Sequence, residues 1–249
     1  MDKSSRWIPF IPLLLAAAGA QEISPDTTRL VVEASFRMGG LSGPIIDREG
    51  ALYDDVGLRF GSNASNATSV DPSGTDFGFD FGAYWRFQPY LQTGVAFLYQ
   101  WTATHPGSSS GSSQWKEILS EKAVLARLRY LPFQLGKARL GVEGGIGPSF
   151  GVLHRMALAA DQTSLLAPGA IDYVQAANRP VDVSGLRYEA AFLATQDYGS
   201  HFGVNLRAGF HHTSLGLKGS DPLANATPSY SFPVASYGFD LAVGLFGRF

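Results

Sequence analysis

His211-His212-Thr213-Ser214 is the run in this 249-residue chain whose residue types and spacing best suit covalent chemistry. A serine hydroxyl is a weak nucleophile until a neighbouring base takes its proton. His212 and Ser214, two residues apart, share one face of an extended chain, the face that also carries Phe210. Such a pair needs an acid to orient the imidazole, and the segment that follows offers none on that face: Asp240 has the opposite parity and Asp221 falls in a loop. The serine reading is therefore kept as an alternative, and no catalytic residue is assigned. His105 and His154 lie in separate segments, so no metal ligand set and no cofactor are expected. The chain has no cysteine, which excludes disulfides, thiolate metal sites and cysteine nucleophiles.

A second set of chemically active side chains is larger and regularly spaced. Glu33, Asp76, Asp80, Glu121, Glu143, Glu189 and Asp240 stand against Arg37, Arg86, Arg127, Arg129, Arg139, Arg187, Arg207 and Arg248. Each sits at an every-second-residue position within an apolar stretch, so the elements holding them have the two-residue period of strands. Leu30 to Met38 form the first. Phe77, Phe79, Phe81, Ala83, Trp85 and Phe87 mark the second, and Leu91 to Trp101 the third. Val124, Ala126, Leu128 and Tyr130 mark a fourth, in which Leu125 falls among the polar positions. The fifth runs from Leu140 to Val152; Pro148 on its apolar face cannot donate to a ladder, which predicts a bulge or the membrane rim there. Tyr188 to Phe192, Phe202 to Phe210 and Tyr237 to Phe249 complete eight.

Volume decides which face is inside. An eight-stranded barrel has an interior just wide enough for its side chains or one small ligand. It cannot also house Phe77, Phe79, Phe81, Trp85, Phe87, Phe97, Trp101, Phe202, Phe210 and Phe239, so these must face outward into lipid. The seven acids and eight arginines then point into the lumen as a near-neutral plug of ion pairs, since an unpaired charge there would be costly. The inward glycines of the fifth strand make room for guanidinium groups. Lys122 is the one charge expected on the outer face, placed near the rim, where a basic residue costs little; it snorkels there or contacts lipopolysaccharide phosphates. Trp85, Phe87, Tyr90, Tyr130, Phe133 and Tyr198 predict one aromatic girdle, and Tyr99, Trp101, Trp115 and Tyr237 the other. The fold class expected is all-β, an eight-stranded antiparallel transmembrane up-and-down barrel.

Composition agrees. Charged residues make up 16% and aromatics 12%, with 29 glycines, against roughly 25% charged in a typical soluble domain. The formal charge of −2 leaves no basic footprint for nucleic acid. Residues 1–20 read as a secretory signal peptide: Lys3 and Arg6, an apolar run from Trp7 to Leu15, and the small residues Ala18-Gly19-Ala20. Residues 21–249 form one barrel domain. Its connections alternate between short (Gln88-Pro89, Leu131 to Lys137, Asp197 to Ser200) and long (39–74, 102–115, 155–185, 213–233), the pattern of periplasmic turns and extracellular loops, with both termini periplasmic. Asn63, Asn66 and Asn225 match the N-glycosylation pattern by chance in polar loops.

The last strand carries a resemblance. Tyr237, Phe239, Leu241, Val243, Leu245 and the terminal Phe249 resemble the closing strand of the OmpA/OmpX-like and OmpW-like small outer-membrane barrels, with Gly247 departing from the pattern. The resemblance implies that these residues are the signal read by the barrel-assembly machinery. It also implies a bacterial outer-membrane setting, with outer-membrane lipid and lipopolysaccharide as partners; the long loops at 39–74 and 155–185, carried on a rigid scaffold, suit an extracellular partner. The His-x-Ser run is similar to that of outer-membrane lipid A deacylases, which would make His212 the base and Ser214 the nucleophile. Eight filled strands argue against a wide pore, leaving a structural or surface-interaction role first and passage of a small solute or apolar ligand second.

Overall fold

Alternating apolar and polar side chains put one face of each strand against lipid and the other against the opposite wall, and a sheet with two such faces has no exposed edge only if it closes on itself. The computed structural model shows that closure. It describes residues 29–42, 73–105, 118–154, 169, 172, 180–217 and 234–249. The strands are β1 (Leu30–Ser42), β2 (Ser73–Gln88), β3 (Leu91–His105), β4 (Ile118–Leu135), β5 (Ala138–His154), β6 (Val181–Asp197), β7 (Phe202–Leu217) and β8 (Val234–Arg248). Every neighbour pair is antiparallel, and β1 closes on β8 with Val31 opposite Arg248 and Ser42 opposite Tyr237. Among the described residues no helix is long and apolar enough to cross a membrane; the strands do so.

The exterior is the apolar face. Phe77, Phe79, Phe81, Trp85, Phe97, Phe210 and Phe239 are exposed, as are Leu241, Val243 and Leu245 of the closing strand, while the charged positions between them are buried. For a soluble protein this would be an inside-out surface; in a bilayer it is the lipid contact. Aromatic pairs gather at both ends. Tyr90 meets Tyr130 edge-on at 5.8 Å near the short turns, and Tyr99 meets Trp101 at 4.3 Å toward the long loops.

The strands run further toward the long loops than their apolar spans suggest. Gly39 to Ser42, Ile118 to Ser120, Val181 to Gly185 and Thr213 to Leu217 all continue the ladder, because backbone pairing does not require an apolar side chain. The loops expected at 39–74, 155–185 and 213–233 are shorter by these residues. At the other end β4 reaches Leu135 and the turn before Ala138 tightens on Gly136, whose φ of +61° suits a residue without a Cβ. The β4–β5 bulge lies at Tyr130/Phe133, not at Pro148. Beside Pro148 the pairs with Val124 and Leu125 lapse, and the ladder resumes in the same register. The signal-peptide segment, the three Asn motifs, Trp115 and Asp221 lie outside the described residues.

Candidate functional site: the ion-paired lumen

Inward positions on four strands, β1, β4, β6 and β7, converge on Glu189 of β6. Its carboxylate accepts from Arg37 of β1 at 2.8 Å, Arg127 of β4 at 2.9 Å, Arg207 of β7 at 2.7 Å, and Arg187 two residues back on its own strand at 2.9 Å. Each of these arginines has a second carboxylate. Arg37 reaches Asp240 at 2.5 Å and Asp80 at 3.4 Å. Arg127 bonds Asp80 with both terminal nitrogens. Arg207 lies 2.9 Å from Glu143 and 3.3 Å from Asp240, and Arg187 donates to Glu121 at 3.1 Å. All of these groups are almost fully buried. Bidentate and shared carboxylate contacts are the arrangement that compensates a desolvated guanidinium. Gly145 makes the space: a Cβ there would come within 3.1 Å of Arg127 Cγ.

The network extends in both directions. Toward the short turns, Arg129 pairs with Glu33 at 2.7 Å and Glu143 at 2.6 Å while its guanidinium lies 3.5 Å from the centre of the Tyr84 ring. Toward the long loops, Glu121 accepts from Ser149 at 2.6 Å, and His211 stands between Asp240 (3.1 Å) and Asp76 (3.4 Å). Asp76 also accepts from Thr102 at 2.6 Å.

Three predicted members stand apart from this centre. Arg139 is half-buried near the short turns, where it donates to the carbonyl of Pro89 at 2.9 Å. Arg248 pairs with Asp197, the last residue of β6, and lies 5.1 Å from the Phe246 ring. Arg86 is buried on the inner face two residues beyond Tyr84. The lumen is also less purely ionic than the charge pattern suggests. Val31, Tyr84 and Phe246 form an apolar layer near the short turns, and Leu98, Ala123 and Leu125 another at mid-height. Leu125 was legible as an apolar residue at a polar position; His211 shares the inward parity of Arg207, which marks it as a lumen residue.

Outside, His212 and Ser214 are exposed. His212 stacks between Tyr188 and Tyr237, with 6.4 Å between ring centres on each side. Ser214 is opposite Leu186 and Ala235. The partners that sheet register gives the pair are thus aromatic or aliphatic, and the nearest acid on β8, Asp240, is buried in the lumen on His211. Lys122 is exposed, with its Nζ 5.7 Å from the Tyr99 ring centre. A second outward charge accompanies it: Asp182 lines the same 460 Å³ groove. It lies in a stretch read as loop, although Val181-Asp182-Val183 alternates. Phe249 turns its ring toward Gly247, where a Cβ would come within 3.1 Å of it.

The fold and lumen together define a class: an eight-stranded transmembrane barrel filled by ion pairs. No protein-family model matches the chain, and no curated protein matches it. Solved structures similar to it include the outer membrane protein OprG from Pseudomonas aeruginosa, at TM-score 0.45 and 9% identity, covering 89% of this chain and 96% of that one. Ail, the attachment invasion locus protein of Yersinia pestis, solved in complex with the heparin analogue sucrose octasulfate, follows at 0.43 and 11%, covering 89% and 99%. Neisserial surface protein A gives 0.39 and 9%, covering 88% and 97%.

Proposed function

We propose that this protein is a closed scaffold of the bacterial outer membrane, which holds its long loops at the cell surface for a structural or surface-interaction role. The observation that supports the reading best is the Glu189 centre. A carboxylate bound by four arginines from β1, β4, β6 and β7 joins the walls across the lumen. It supports an interior used for packing, and loops carried on such a rigid scaffold often hold the function. In this reading the short turns and both termini are periplasmic, the closing strand serves the assembly machinery, and Lys122 lies at the headgroup level of lipopolysaccharide. Passage of a small solute would require the central pairs to part, and ester cleavage at Ser214 would require an acid that its register neighbours do not supply.

The absence of cysteine makes the placement simple to test. Ser109→Cys, within the Gly/Ser-rich stretch 105–113, is expected to react with a membrane-impermeant maleimide on intact cells. Reaction only after the envelope is broken would contradict the orientation.

A further inference from the structure

The lipid-facing wall of β6 and β7 carries two shallow grooves. One, of about 840 Å³, extends toward β8 and β1 and includes Ala190, Phe210, His212 and Tyr237 in its lining. The other, of about 380 Å³, lies nearer the short turns and includes Phe192, Ala194 and Ala208. Register shows how they meet. Ala190 pairs with Phe210, and on the next outward rung Phe192 pairs with Ala208. The diagonal from Ala190 to Ala208 therefore runs between two phenylalanines that stand 67% and 74% exposed. We infer that the two grooves form one trough that holds a single acyl chain of an outer-leaflet lipid, with its ester or hydroxyl oxygen at the stacked Tyr188–His212–Tyr237 row.

Four features select this occupant. The trough is part of the surface already in contact with lipid, so its filling continues an existing interface. From Tyr188 to Ala194 the wall spans six residue steps, about 20 Å along the strand, against about 30 Å for a whole hydrocarbon core; a tilted path of that length suits one chain. The ridges Phe192 and Phe210 hold a flat second barrel away from the floor but embrace a chain one methylene wide. The outward side chains at the upper end are the imidazole of His212 and the phenols of Tyr188 and Tyr237, while Glu189 and His211, which also line it, are buried toward the lumen; this fits an acyl ester or hydroxyl better than a phosphate. Lipid is as apolar as the wall, so retention comes from packing and the polar contact, not from the hydrophobic effect. The inference rests on the barrel's membrane placement and not on the role of its loops.

Native mass spectrometry of the full-length barrel, exchanged from phosphatidylcholine micelles into detergent, reads the retained lipid directly. One phosphatidylcholine per barrel is expected. Ala190→Phe should lower its retention about five-fold, about 1 kcal/mol, and Ala208→Phe should do the same from the other side of the diagonal. Ala83→Phe, an outward change on β2 away from both grooves, should leave it unchanged. Heat-modifiable gel mobility shows independently whether each variant is folded and whether the protein is a barrel at all. Equal retention in all four proteins overturns the inference, as does equal loss in Ala83→Phe. A wild-type barrel pair that Ala190→Phe dissociates would give the trough to a second copy and likewise overturn it.

Discussion

Replacing Glu189 by alanine removes the one carboxylate that four buried arginines share, and the structure sets the size of the effect. Removing one partner of a buried pair ordinarily costs about 3–5 kcal/mol, because the other charge is left uncompensated. Here four guanidiniums lose a contact of 2.7–2.9 Å. None is left alone: Arg37 and Arg127 keep Asp80, Arg207 keeps Glu143 and Asp240, and Arg187 keeps Glu121. The four losses are therefore shared and partial, and the expected destabilisation is near the lower bound, about 3 kcal/mol. Glu189→Gln retains two polar atoms of the same shape and should fall between wild type and alanine. Urea unfolding from phosphatidylcholine vesicles, followed by the emission of Trp85 and Trp101 on the lipid-facing wall, measures the difference. A shift below about 1 kcal/mol for Glu189→Ala would place the centre in water-like surroundings, where ion pairs are worth little, and would rule out a desolvated Glu189.

Two further predictions follow from the outer wall. Val243→Arg, at an exposed position in the middle of β8, should destabilise the barrel by about 2–4 kcal/mol in the same unfolding assay; a neutral result would mean that this face does not meet the bilayer core. Ser214→Ala should leave the acylation pattern of lipid A unchanged by mass spectrometry relative to wild type; a deacylated species present only with Ser214 would establish the serine chemistry that the register neighbours do not support.

The sequence was informative where the physics is local. Alternation is a property of single strands, and the bulk of ten aromatic side chains settles which face they take, so eight strands and their inside and outside could be read without coordinates. Partner choice across the lumen could not. That Glu189 meets Arg37, 152 positions away, depends on how far each strand slides along its neighbour, a sum over the whole closed sheet that no window of sequence contains. The same cause separates Arg139 and Arg248 from the centre: their parity is inward, but their height puts them beside Pro89 and Asp197. Strand ends were hidden for another reason. Toward the long loops the ladder continues through Gly39-Gly40, which have no side chains to mark a face, and through Val181-Asp182-Val183, where the apolar positions face inward and the carboxylate of Asp182 outward, the reverse of the pattern elsewhere.

The pairs around Glu189 cross the lumen between β1, β4, β6 and β7, and the proposed scaffold requires that they hold it shut. Single-channel recording of the purified wild-type barrel in planar bilayers tests this most directly. The structure predicts a silent membrane with inserted protein, whereas stable open steps from the wild-type barrel would contradict it.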